Sequence, residues 1–258
     1  GGVVDGPAAA AVLDYARDGL FAHKAWLFTG REMTALGCCL DTLASETRDV
    51  VTNVNQCRRK GSVLVRSGGA WHPAGPGSSD VTGADVVWHD DTAYFITHGA
   101  AALLLEDREG DWGAINEAHK GCKVQQPIFE LDLFHGAQPR GGSYAYTIAP
   151  GLSKEDVETY APPQVLRNDE RVQAVYQAGV LAAAVWKVDE LAAPNGLSVR
   201  ANKICLLTVR EEEDGLRIAV SNPQNRPKWV DIWINRTLPP LEAGECYVRP
   251  AEGGSVVH

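Results

Sequence analysis

VLDYARDGLFAHKAWLFTGREMTALGCCL, residues Val12–Leu40, holds three apolar-rich runs separated by two turn signals. Asp18-Gly19 between such runs is a hairpin cue, because both residues tolerate the positive φ that a tight two-residue turn demands. Thr29–Arg31 supplies the second break. The runs carry aliphatic, aromatic and small apolar residues. Three antiparallel strands follow from this pattern.

The same signature continues along the chain. ADVVWHDDTAYFITH (Ala84–His98) reads as a hairpin turning at Asp90-Asp91, and KICLLTVREEEDGLRIAVSNP (Lys203–Pro223) as one with Asp214-Gly215 at its tip. PIFELDLFHG and SYAYTIAPG are further strands, and AALLL (Ala101–Leu105) and GVLAAAVW (Gly179–Trp186) have strand length. In KWVDIWIN (Lys228–Asn235), Val230, Ile232 and Ile234 alternate with Trp229, Asp231, Trp233 and Asn235, the period of a strand with two unlike faces. One helix is predicted, in SKEDVETYAPP, with Ser153 as N-cap, acids in the first turn and prolines to stop it. The Pro/Gly/Ser-rich segment His72–Ser79 reads as a loop. A boundary is expected after YAPPQ, giving domains 1–164 and 165–258 of an all-β chain.

The chain has 258 residues, 45% of them hydrophobic and 22% charged, with a formal net charge of −9. That is the composition of a folded chain, and its charge argues against non-specific binding to nucleic acid or anionic membranes. No apolar run approaches the ~20 residues that cross a bilayer as a helix. The N-terminal GGVVDGPAAAAVLDYARDG lacks a basic n-region, so no leader is recognisable, although a precursor that has lost one would read the same. The six cysteines (Cys38, Cys39, Cys57, Cys122, Cys205, Cys246) show no CxxC or CxxxC spacing, so no metal site is predicted from them. Free thiols, or one or two disulfides in an exported protein, remain open.

Several of these segments, in this order, resemble the β half of polysaccharide lyase family 8, the hyaluronate, chondroitin AC and xanthan lyases. HKAWLFTGREMTALG (His23–Gly37) resembles a lysine, tryptophan and aromatic strand ending in LG, and TNVNQC (Thr52–Cys57) resembles a TTVNQ strand. VVWHDDTAYFI resembles an HDG…Y hairpin, GDWGAIN (Gly110–Asn116) a W…IN segment, and Ile128–Gly151 an HG…P…SYAYVVLPG run. LLTVREEEDGLRIAVSNP resembles LVREEGGELTLAVSDP. Each motif alone is common, whereas six in order over about residues 12–225 are specific.

The resemblance implies an antiparallel, galactose-mutarotase-like super-sandwich followed by a smaller C-terminal β-sandwich. It implies a polysaccharide lyase acting outside the cytoplasm, in an extracellular or periplasmic location. The substrate would be an acidic polysaccharide, a glycosaminoglycan or a xanthan-like polymer, with neither nucleic acid nor membrane as partner. In the family an N-terminal α/α toroid carries the catalytic asparagine, histidine, tyrosine and arginine. These 258 residues have neither the length nor the helical periodicity for one, so no catalytic residue is expected here and a toroid domain or subunit is the expected partner. No cofactor is implied, and a structural calcium ion under a loop is left open.

The reaction implied is β-elimination: the C5 proton beside a uronic carboxylate is removed and the C4–O bond breaks. Such a site must neutralise the carboxylate and supply a proton acceptor and donor. Asn55, the asparagine of the VNQ pattern, is the leading substrate-binding candidate, with Gln56 beside it, because amides both donate to and accept from sugar hydroxyls. Arg58 and Arg59 offer bidentate carboxylate contacts, Lys60 a weaker one. The plainer alternative is a strand end with solvated cations. Relatives often carry glutamate ahead of this pattern, where Val51 stands here, and Glu46 and Asp49 are out of register.

Trp71, in SGGAWHPAGPG, has no strand pattern to bury it and is the tryptophan best suited to stack on sugar; most of the others suit a core, while Trp229 and Trp233 share one strand face that suits either core or an exposed platform. His89 and His135 fit turns fixed by ring hydrogen bonds, Tyr144 and Tyr146 share one strand face, and Asn235–Thr237 fits a glycosylation sequon. A non-catalytic carbohydrate-binding module or scaffold is the rival function, and a protein-interaction domain the third.

Overall fold

The computed structural model describes residues 1–43, 48–224, 229–243 and 246–258; Glu46 and Lys228 lie outside them. The described residues are strands joined by turns, with one α-helical turn at Lys154–Val157 and two short 3-10 turns. Ser153 caps that turn as expected, its Oγ accepting the Asp156 N–H at 3.1 Å. By internal contacts the chain forms two compact units.

The first unit comprises Gly1–Leu43, Arg140–Thr147 and Ala161–His258. Its opening strands, Gly2–Asp5, Ala8–Arg17, Leu20–Phe28 and Met33–Thr42, pair antiparallel in sequence order. The turn at Asp18-Gly19 has φ of 51° and 78°, as a two-residue hairpin requires. Further on, Gln164–Asn168, Val172–Gln177, Val180–Val185, Cys205–Glu212 and Gly215–Ser221 make a five-stranded sheet. The tip of its last hairpin is Glu213-Asp214, one residue earlier than expected, because Glu212 pairs with Gly215. Glu190–Ala192, Ser198–Ala201, Ile232–Ile234, Gly254–Val257, Cys246–Ala251 and Leu241–Ala243 form, in that order, a six-stranded sheet. There the alternation holds, with Ile232 and Ile234 buried and Trp229 exposed.

Strand Val180–Val185 (VLAAAV) explains its own composition. Leu181, Ala183 and Val185 pack with Leu207, Val209, Ile232 and Ile234, while Ala182 and Ala184 pack with Leu27, Leu36 and Leu206. Both faces are covered, so alternation of polar and apolar residues disappears and small side chains set the layer spacing. Gly37 follows a related rule: a Cβ there would stand 2.1 Å from Cε1 of the buried Tyr144 ring. Tyr144 and Tyr146 are both core residues, as their shared face predicts.

The second unit comprises Ala44–Pro139 and Ile148–Tyr160. Val50–Arg58, Lys123–Gly136, Ala100–Asp111 and Gly77–Asp80 form one antiparallel sheet. Thr92–His98, Val86–His89, Val63–Ser67 and Ala70–Pro73 neighbour one another in that order. The loop expected over His72–Ser79 is corrected: Ala70–Pro73 and Gly77–Asp80 flank a short connection. Ala70–Pro73 pairs with Val63–Ser67 across the Gly68-Gly69 turn, a local hairpin cue that the loop reading passed over, whereas Gly77–Asp80 pairs with the distant Ala102–Leu105 and had no local sign. Asp90 and Asp91 both take positive φ, as the expected hairpin turn needs. All six cysteines are free.

Candidate functional site

Strand Val50–Arg58 lies against Lys123–Gly136 in a register that decides where each candidate side chain points. Asn55 faces Leu131 and Cys57 faces Phe129, both fully buried, whereas Gln56 faces Glu130. Val54 is the extra residue between the Asn53–Asp132 and Asn55–Leu131 pairs, a β-bulge. Period-two alternation therefore splits the cluster: Asn55 and Cys57 point inward, Gln56 and Arg58 outward.

On the inner face Asn55 Nδ2 donates to the Tyr94 hydroxyl at 2.6 Å. Burial pushes the Tyr94 phenol above its usual range and the Cys57 thiol up as well, so both stay neutral. His89 is buried and stacked on Phe129 at 4.6 Å, and its Nε2 accepts the Lys60 N–H at 3.0 Å. Burial lowers its pKa, and the ring fixes the turn after the strand, the structural role expected of it. Lys60 Nζ pairs with Asp90 at 3.2 Å, and half-buried Arg59 lies 4.0 Å from Asp107.

On the outer face Gln56 Nε2 donates to Glu130 Oε2 at 2.9 Å, and Arg108 Nη2 approaches the same carboxylate at 2.6 Å. Asn53 Nδ2 donates to Asp132 Oδ1 at 2.7 Å. Burial raises the Asp132 carboxyl, with Glu130 adding to the rise; burial acts the same way on Glu130 but is outweighed by hydrogen bonds from Asp132, Arg108 and Gln56, which hold it low. Arg58 is exposed, and its side chain makes no hydrogen bond or ion pair among the described residues. Glu130, Asp132 and Arg108 were not singled out from the sequence; the signal was available in IFELDLF, whose acids alternate with buried Phe129, Leu131 and Leu133.

Trp71 sits apart from this strand in its contacts. It lies on Ala70–Pro73, packed against the cluster of Val86, Ala93, Ala149 and Leu152, which corrects the expectation that no strand buries it. Its indole N–H donates to Glu158 at 2.6 Å, and Lys154 Nζ lies 5.7 Å above its ring. Asn235, the sequon asparagine, has both amide atoms engaged, Nδ2 to the Gly196 carbonyl at 2.8 Å and Oδ1 from the Ser198 N–H at 2.7 Å.

Chemically, the outer face offers amides, one free guanidinium and a carboxylate network, a surface suited to hydroxyl recognition with a single anion contact at its end. The hydroxyl beside Asn55 belongs to Tyr94, only 3% exposed, which gives a substrate proton no route to it.

Residues 1–161 match the model of the polysaccharide lyase family 8 super-sandwich domain, and residues 164–231 that of the family's C-terminal β-sandwich domain. Chondroitinase-AC from Pedobacter heparinus is 31% identical over 241 residues, covering 88% of this chain and 33% of that protein. A solved chondroitinase AC lyase, studied as enzyme–oligosaccharide complexes, superposes with a TM-score of 0.81 at 26% identity, over 91% of this chain and 35% of that one. A Paenibacillus xanthan lyase shares the fold, with a TM-score of 0.85 at 22% identity over 99% of this chain and 26% of that one. The chain thus spans about a third of the Pedobacter relative.

Proposed function

This chain belongs to polysaccharide lyase family 8, and from that footing we propose that it is the β-domain part of a lyase cleaving uronic-acid-containing polysaccharides by β-elimination. Its role is to hold the polymer and close the cleft, while a toroid domain or subunit supplies the proton transfers. The domain division is 1–164 and 165–258, and the working location is extracellular or periplasmic. Among the described residues no helix is long and apolar enough to cross a membrane.

The observation that carries this reading is the split of the Asn55–Arg59 cluster. Its outward members, Gln56 and Arg58, face solvent and its inward hydroxyl is sealed off, so these residues suit recognition rather than bond breaking. Arg58, with its free guanidinium, takes the sugar carboxylate; Gln56 takes a neighbouring hydroxyl. Asn55 acts through Tyr94, fixing the strand edge, and Arg59 and Trp71 flank the polymer. The acids of the outer face keep anionic contacts confined to Arg58.

The purified chain, mixed with hyaluronan, chondroitin or xanthan, is expected to give no rise in ultraviolet absorbance from unsaturated uronic acid. Adding a toroid-bearing partner restores it; silence with the cognate partner across a broad panel sinks the proposal. Arg58→Ala is expected to weaken polymer binding about tenfold in affinity electrophoresis, the scale of one charge-assisted hydrogen bond. Unchanged binding removes Arg58 from the site.

A binding module is the second reading, favoured by a groove of about 460 Å³ lined by Glu190, Arg200, Trp233 and Glu252. Arg200 lies 5.9 Å over the Trp233 ring, so an aromatic face sits beside hydrogen-bonding groups. Saturable binding lost in Trp233→Ala, with no turnover under any pairing, selects that reading.

A further inference from the structure

Within the first unit, His23, Cys38 and Cys39 bring one ring nitrogen and two sulfurs within 4.8 Å of one another, and the cause is a backbone irregularity. Between the Phe21–Asp41 and His23–Cys38 pairs, strand Met33–Thr42 carries one residue more than strand Leu20–Phe28. In a regular strand adjacent cysteines point to opposite faces. Here the bulge, with Cys39 at φ 53°, turns both sulfurs toward His23. A non-glycine residue at such a φ is strained, and strain of this kind gathers at functional sites.

The imidazole is held in place. It stacks on Trp186 at 4.2 Å, and the Trp186 indole N–H donates to the buried Gln173 side chain at 3.0 Å. His23 Nε2 faces Asp14 Oδ1 at 3.7 Å. Nδ1 is buried and has no hydrogen-bond partner among the described residues, an orphaned ring nitrogen. Cys38 Sγ points at the Asp169 carbonyl, 3.2 Å away, so it lies where the opening strands meet the turn before Val172–Gln177.

We propose that His23 Nδ1, Cys38 Sγ and Cys39 Sγ form a binding site for one thiophilic divalent cation, Zn²⁺ in physiological terms, with a fourth position left to solvent. One imidazole and two thiolates are a borderline-soft donor set that favours zinc over calcium or magnesium. A tetrahedral zinc ion needs donors about 3.5–3.8 Å apart, so small rotations of the two cysteine side chains close the cage. Asp14 then plays the outer carboxylate that orients a metal-bound histidine. Binding releases the two thiol protons and frees the Asp169 carbonyl. The site owes nothing to the CxxC spacing used to search sequences, because strand pairing and a bulge assemble it.

The test uses the full chain kept reduced with a phosphine that does not chelate metal. Titration with Cd²⁺ is expected to give one ion per chain with a thiolate-to-metal absorption band. Zn²⁺ at about a hundred times its Kd is expected to raise the melting midpoint by roughly 5–10 °C. Cys39→Ser, at a partly exposed position, keeps the fold by circular dichroism and loses the band and the shift; Asp14→Asn weakens binding about tenfold. A band that survives in Cys39→Ser belongs to other thiols and overturns the site. Absence of any band or shift in the reduced protein, or isolation of Cys38 and Cys39 as a disulfide when zinc is present throughout purification, overturns it too.

Discussion

Gly37→Ala is expected to destabilise the chain by at least about 3 kcal/mol, at the upper end of overpacking costs. The new methyl would stand 2.1, 2.4 and 2.6 Å from Cε1, Cζ and Cδ1 of Tyr144, a ring with 2% of its surface exposed. Neither side can retreat. Asn168 Nδ2 donates to both the Gly37 carbonyl at 3.1 Å and the Tyr144 carbonyl at 2.9 Å, tying the two backbones together. Urea denaturation measures the loss directly. Tyr144→Leu combined with Gly37→Ala is expected to recover part of it, giving a coupling energy of about 1 kcal/mol or more. Losses that merely add would mean that the ring is not what excludes the methyl.

His89→Ala follows as the second large loss, about 2–4 kcal/mol. It removes a stacked partner of Phe129 and orphans the Lys60 N–H. The same residue gives a pH signature of definite sign. Burial lowers its folded pKa below the value near 6.5 that the unfolded chain shows. Between those two values the unfolded chain binds more protons. The contribution of the neutral ring is therefore complete above about pH 6.5 and erodes as pH falls from there to the folded pKa. Wild type minus His89→Ala, measured by denaturant midpoint at a series of pH values, should shrink on acidification below pH 6.5. A difference that grows would reverse the assignment.

What could be read from the sequence was local. Asp18-Gly19 and Asp90-Asp91 announced their hairpins because positive φ must be met within the turn itself, and Ser153 announced its cap for the same reason. The His72–Ser79 segment misled for two reasons: the Gly68-Gly69 hairpin that leads into it was overlooked, and Gly77–Asp80 pairs with a strand distant in sequence. The site divided along the same line. Alternation between Asn55 and Gln56 was visible in principle, whereas the bond from Asn55 to Tyr94 joins residues 39 apart. Bulges were invisible: nothing in GCCL says that Cys39 adopts φ 53° or that Val54 is the supernumerary residue of its strand.

The alanines of Val180–Val185 have a consequence for inheritance. A sheet covered on both sides is a party wall, so the two sandwiches it separates share masonry rather than merely adjoining. A chain cut near residue 164 would leave Leu27 and Leu36 facing water, and one begun there would bare Ala182 and Ala184. Each half is thus a poor candidate for shuffling into another protein alone, and the pair travels as a laminate.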